Sequence, residues 1–251
     1  MIKTCAIVLH RYAYSDSSWI VKALTEECGI VSFIVKGGKR KESPFKGALD
    51  PLATSEVVFR QNPNAELQFV KEATIIGWHK DLRQDLLALA EAQVMAEIVL
   101  RHAPQGVPLP EEFRLLAHAL DELDCPPGDT PSTAQPRSGI FAHWLLGICD
   151  LWGYHLDISV CSRCETPLDA PPADFHPETG EIICRHCLGV ATPRSRKETA
   201  EGLWDLLQGN ELKRKQYVEN ALLAYLLHHM GYLKEIKSLQ FLNETRSLLA
   251  T

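Results

Sequence analysis

Five short segments rich in β-branched and aromatic residues crowd into the first 76 residues, and no other feature constrains the fold as much. They are "TCAIVLH" (4–10), "SWIVKAL" (18–24), "IVSFIVK" (30–36), "ATSEVVF" (53–59) and "ELQFVKEATII" (66–76). Turn-forming stretches separate them at Asp16-Ser17, Cys28-Gly29, Gly37-Gly38 and Asn62-Pro63-Asn64. Branched and aromatic side chains suit a pleated, half-buried surface, whereas Gly, Pro and Asn interrupt it. Strands this closely spaced predict a small closed barrel. The OB-fold is the commonest five-stranded kind, and an SH3-like barrel fits the same pattern.

Beyond Asp81 the period changes. Leu82, Leu86, Leu89, Ala96 and Leu100 recur at helical spacing until Pro104, and Phe113, Leu116, Leu120 and Leu123 predict a second amphipathic helix. "CPPGDTPSTAQPR" (125–137), with four prolines and one glycine in 13 residues, cannot hold a regular element and reads as a mobile loop. "SGIFAHWLLGICDLWGYHL" (138–156) is apolar nearly all round, which predicts a central buried helix stopped by Gly153. Two more helices are expected at about 199–208 and 214–230, ahead of "GYLKEIKSLQFL". No internal repeat is visible. The expected organisation is α+β and multidomain: a barrel over 1–80, a helical domain over 81–160 and 191–251, and an insert over 161–190.

That insert holds "CSRC" (161–164) and "CRHC" (184–187), two C-x2-C pairs separated by 19 residues. Cys161, Cys164, Cys184 and Cys187 match the ligand spacing of a tetrahedral four-thiolate zinc site, each pair wrapping a tight turn around one ion. Between them "ADFHPETGEIIC" carries the Pro-Glu-Thr-Gly turn of a hairpin, as in a zinc ribbon. A redox C-x2-C lacks its βαβ context here. His176-Pro177-Glu178 followed by Cys184 and Cys187 is similar to the zinc-deaminase pattern, but Ile183 stands where that pattern has proline. Four thiolates also leave no open position for water, so the zinc is expected to be structural. His186 is a substitute ligand or a surface residue of the knuckle. Of the other four cysteines, Cys5 and Cys149 lie in apolar stretches and read as buried free thiols.

The chain has 251 residues, 45% hydrophobic and 23% charged, with a net charge of −6, the profile of an ordinary globular protein. No apolar run approaches the roughly 20 residues of a membrane span. The N-terminus lacks the apolar core and small-residue cleavage site of a signal peptide, so a cytoplasmic protein is expected. Against the acidic background, "IVKGGKRKESPFKGALDP" (34–51) holds five cations between residues 36 and 46, namely Lys36, Lys39, Arg40, Lys41 and Lys46, against one anion there, Glu42. A charge run is usually a solvated face. Here it follows a barrel strand, with Gly37-Gly38 allowing close backbone approach and Tyr12, Tyr14, Trp19, Phe33 and Phe45 nearby in sequence. Such a loop can hold a single strand of nucleic acid by phosphate neutralisation and base stacking, while Phe33, alternating with Val31 and Val35, is expected inward. "KRK" (213–215), Lys234 and Lys237 read first as solvated helix surface, and otherwise as auxiliary contacts. His228-His229 reads as packed or capped. No G-x4-G-K-[ST] loop occurs, which disfavours an ATP-using enzyme.

"VLHRYAYSDSSWIVKALTEECGIVSFIVKGGKRKESPFKGALDPL", the helical middle, "LWGYHLDISVCSRC" and the closing "GYLKEIKSLQFL" resemble the bacterial RecO recombination-mediator family across essentially the whole chain. The chain departs from the family at Asp16-Ser17-Ser18, where many members are more acidic, and at Asp50, where glutamine is common. The resemblance implies an OB-fold, a helical domain carrying the zinc motif, and no enzymatic turnover. It implies binding of single- and double-stranded DNA, annealing, and engagement of RecR. With RecR, such proteins help RecA displace single-strand-binding protein, whose acidic tail the helical domain receives. By matching position it makes Lys36, Lys39, Arg40, Lys41 and Lys46 DNA contacts, with Arg11 and Lys22 as weaker ones, and the four cysteines zinc ligands. The alternatives are a zinc-dependent nucleic-acid hydrolase or deaminase, and a zinc-ribbon transcription or translation factor.

Overall fold

A computed structural model describes residues 1–125, 137–231 and 236–249. The proline-rich stretch 126–136, and Lys234 with its neighbours at 232–235, lie outside the described residues. The chain forms two compact units, Met1–Cys125 with Ile236–Thr251, and Pro126–Glu235. The first contains strands β1 (Ile2–Ala13), β2 (Trp19–Thr25), β3 (Gly29–Val35), β4 (Thr54–Arg60) and β5 (Leu67–Gly77). It also holds helices α1 (Lys80–Gln84), α2 (Leu86–His102), α3 (Pro110–Leu123) and α7 (Ser238–Leu249). The second holds α4 (Ile140–Leu151), β6 (Asp174–Phe175), β7 (Ile182–Ile183), α5 (Arg194–Leu207) and α6 (Lys215–His229). Compactness thus groups the helices after the barrel, and the last helix, with the barrel itself.

The five expected strands all form. They close in the order β1-β2-β3-β5-β4, β4 returning to β1. Every pair is antiparallel except β3 with β5. A fifth strand set between β3 and β4, parallel to β3, makes this a Greek-key barrel of the OB type. Ala6, Val8, Val21, Ala23, Phe33, Val35, Leu49, Val57 and Phe59 fill it, Phe33 meeting Phe59 edge-on at 5.1 Å. Ile7 and Leu9, on the other face of β1, are buried as well because α2 packs there. That second covering is why β1 reads as a continuous apolar run. Cys5 is only half-buried, opposite Glu56, so it is less enclosed than its apolar setting suggested.

A register shift between Val8 and His10 decides where the next side chains go. Beyond it Arg11 faces Val21, and His10 faces Lys22. Cross-strand partners share a face, so Arg11 lies on the core side at the barrel mouth and Lys22 points outward with His10 and Ser32.

The first expected helix is broken. Asp85 is extended, and its carboxylate accepts from Leu87 N at 2.9 Å and Ala88 N at 3.0 Å, capping α2. Leu86, expected on the apolar stripe, is consequently 55% exposed, while Phe113, Leu116, Leu120 and Leu123 of α3 are all buried as expected. In the second unit α4 buries Ile140, Phe141, Ala142, Trp144, Leu145, Ile148 and Cys149, and ends just before Gly153. Burial pushes the Cys149 thiol up to about 12, so it is an inert core residue. No helix among the described residues is long and apolar enough to cross a membrane.

His79 joins barrel and helices within the first unit. It is buried in a left-handed conformation (φ 51°), its Nε2 3.1 Å from Thr54 Oγ1 and its Nδ1 3.8 Å from Asp121. Burial holds its pKa below the usual 6.5, with Asp121 and Asp124 opposing and Arg83 reinforcing the shift. The unfolded chain therefore takes up this proton first. The stabilisation is complete above about pH 6.5 and is lost as pH falls from there through the folded-state value. His79→Asn, which tolerates the left-handed backbone, is expected to flatten this acid limb. Urea midpoints against pH check it: the wild type should lose more stability below about pH 6.5 than the variant.

Candidate nucleic-acid interface and metal centre

Most of the basic loop converges on one mouth of the barrel. Lys39, Arg40, Lys41, Phe45 and Lys46 line a pocket of about 270 Å³ with Arg11, Trp19 and Asp50. Trp19 is its centre: the Arg11 guanidinium lies 4.6 Å from the ring centroid and the Lys39 ammonium 5.1 Å. Lys39 also pins the β1–β2 turn, its ammonium donating to Ser15 O and its backbone N–H to Ser17 O. Arg11 is ion-paired with Asp50. Arg40, Lys41 and Lys46 are exposed and make no ion pair among the described residues. Gly38 has a different job from the one expected. A side chain there would meet Trp19 Cδ1 at 2.7 Å, so the glycine lets the loop pack against Trp19 rather than against a ligand.

Two sequence candidates lie apart from this pocket. Lys22 is on the outward face of β2, and Lys36 stands over the half-exposed ring of Phe69 at 4.8 Å. Among the aromatics, Phe33 is core, Phe45 packs partly against the core, and Tyr12 and Tyr14 are exposed. Phe69 is the residue that sequence reasoning missed. Its signal was only that it sits in a strand with Val70 as a partly core neighbour, so that adjacent residues must face opposite ways. The "KRK" cluster is largely structural: Arg214 binds Glu198 at 2.6 Å and Glu201 at 2.7 Å, and Lys215 lies 3.8 Å from Glu219.

In the second unit the four cysteine sulfurs lie within 4.8 Å of one another. Cys164 and Cys184 are 3.9 Å apart, against about 3.8 Å for two corners of a tetrahedron with 2.3 Å Zn–S bonds. The donor set and its size therefore fit a tetrahedral metal ion. Antiparallel β6 and β7 form the expected hairpin beneath the cluster, with Phe175, Ile182 and Ile183 buried. Ser162 N donates to Ile182 O at 2.8 Å, and Arg163 reaches Cys187 O at 3.0 Å, tying one knuckle to the other. Burial pushes Cys161 up, but backbone N–H groups of Cys184, Cys164 and Arg163 outweigh it and bring the thiol to about 6. Hydrogen bonds with Cys164 and Cys184 push Cys187 up to about 12. His186 is exposed and outside the sulfur cluster, and His176 is engaged by Arg196 and Asp174. Arg196 Nε binds the buried Asp174 at 2.7 Å, fastening α5 to the hairpin.

A closed OB-type barrel with a basic, aromatic mouth, followed by helices that carry a four-cysteine cluster, defines a two-part OB-fold protein with a cluster fit for a metal ion. The family model described as "Recombination protein O N terminal" matches residues 1–78, and "Recombination protein O C terminal" matches 83–234. Proteins named DNA repair protein RecO are similar along nearly the whole length. That of Anaeromyxobacter sp. (strain K) is 28% identical over 99% of this chain and 98% of its own, and that of Pelobacter propionicus 30% over 96% of each. That of Cutibacterium acnes is 31% identical over 82% of this chain and 81% of its own. The chain belongs to the RecO family.

Proposed function

We propose that the protein binds single- and double-stranded DNA without sequence preference at the Trp19 mouth, anneals complementary strands, and acts as a recombination mediator rather than as an enzyme. The observation that carries this is the convergence of Lys39, Arg40, Lys41, Lys46 and Arg11 around one indole at the end of a rigid barrel. Fixed cations neutralise phosphates, and an indole offers a stacking face to any base, so neither device reads sequence. Lys36 with Phe69 extends the same chemistry along β3 and β5, and Lys22 is an outlying contact. An acidic body with one local cationic patch limits indiscriminate binding. Family membership supports partnership with RecR, reception of the single-strand-binding protein tail, and loading of RecA at the nucleoid. One zinc ion in the cluster of Cys161, Cys164, Cys184 and Cys187 serves as a structural clamp, since four thiolates complete a tetrahedral shell and leave no site for a reacting water.

The test is annealing of complementary oligonucleotides, bare and coated with single-strand-binding protein, alongside ultraviolet crosslinking. Annealing in both states, with crosslinks mapping between Gly37 and Gly47, is the expected result. Efficient crosslinking elsewhere with none in this loop overturns the assignment.

A further inference from the structure

Among the residues lining the Trp19 pocket, one is an anion. Asp50 stands amid Arg11, Lys39, Arg40, Lys41 and Lys46, and its carboxylate is committed to the Arg11 guanidinium. Both side chains are about a quarter exposed, at 26% each, so the pair sits within reach of a ligand entering the pocket. The same Arg11 guanidinium also lies over the Trp19 ring, 4.6 Å from its centroid. The loop holds Asp50 in place: its N–H donates to Gly47 O at 3.2 Å, and Ala53 N donates to its carbonyl at 3.0 Å. Arg83, bonded to Pro51 O at 2.6 Å, adds a second positive field on the same carboxylate.

We propose that Asp50 is a built-in phosphate mimic: its carboxylate holds the Arg11 position of the pocket, and an incoming phosphodiester must exchange with it. The inference rests on the reading of this pocket as the strand-binding site and deepens it. An Arg11 guanidinium N–H that donates to the Asp50 carboxylate can donate equally to a phosphate oxygen, so the exchange trades one anionic acceptor for another. Arg11 then arrives pre-oriented over Trp19 but adds little net attraction. The pocket binds through Lys39, Arg40, Lys41 and Lys46, and its grip on a strand stays weak enough to release.

The experiment is a double-mutant cycle on binding of an unmodified single-stranded oligonucleotide, titrated across salt concentration. Asp50→Asn keeps the shape and removes the charge, freeing Arg11 for one more phosphate. The log–log salt slope should steepen by about 0.7, so the gain over wild type should be about fivefold larger at 0.1 M salt than at 1 M. In an Arg11→Gln background the same Asp50→Asn change should give less than about a twofold gain, because no guanidinium remains to be released. Equal gains in both backgrounds would show that Asp50 acts through its general field alone and would overturn the mimic, as would no gain in either. The Lys39/Arg40/Lys41 triple alanine variant separates the two levels. If it weakens binding while the cycle shows no background dependence, only the mimic falls. If it leaves binding and slope unchanged, the strand-binding reading falls and takes the mimic with it. Unchanged melting temperatures establish that each variant is folded.

Discussion

Replacing the exposed Cys164 by serine is expected to strip the metal from the second unit and to destabilise it by more than about 4 kcal/mol, a loss far outside the range of surface substitutions. The choice of residue matters. Cys161 is fully buried, so its replacement disturbs packing whether or not an ion is bound. Cys164 is exposed and packs against little, so on a metal-free reading its loss falls within the about 0.5 kcal/mol of an ordinary surface change. Elemental analysis should find one zinc per wild-type chain and none in Cys164→Ser, with a matching fall in melting temperature. Full zinc content in the variant, or an unchanged melting temperature, removes the four-thiolate clamp from the account.

Replacing Lys39, Arg40 and Lys41 together by alanine is expected to weaken single-strand binding about a hundredfold at 0.1 M salt. Each lost phosphate contact takes about 0.7 from the log–log salt slope, so three take about 2, and the difference should fade towards 1 M salt. Lys39 has a second role, holding the β1–β2 turn through Ser15 and Ser17. Of these, only the side-chain bond is lost on truncation, because the backbone N–H to Ser17 remains. A salt slope that does not move, with the fold intact, places the strand somewhere else on the molecule.

The barrel was legible because its strands announce themselves locally: branched side chains in short runs, punctuated by Gly, Pro and Asn, are enough to mark five of them. Closure was not legible to the same degree. Periodicity cannot say that β5 enters between β3 and β4, and that insertion is what separates an OB-type barrel from an SH3-like one. The cysteines were legible because metal ligation fixes spacing in the chain itself. Long-range pairing was hidden. Arg11 and Lys22 look equivalent in sequence, yet the register shift after Val8 sends them to opposite faces, and Arg11 finds its carboxylate 39 residues away. The helix break at Asp85 was obscured for another reason. Leu82 and Leu86 keep helical spacing across it, and only the extended backbone of Asp85 shows that one helix ends and a capped one begins.

Helix α7 has a consequence for how the molecule is made. Its first residue, Ser238, bonds Glu97 of α2 through both N–H and Oγ at 2.7 Å, and Leu242 and Thr245 are buried. The residues that complete the N-terminal unit are therefore translated after the whole cysteine-bearing unit. On the ribosome the barrel can close early through its near-neighbour hairpins, and the cysteine-bearing unit can be finished while α2 still waits for its last neighbour. The barrel-bearing unit is the first to begin folding and the last to be sealed.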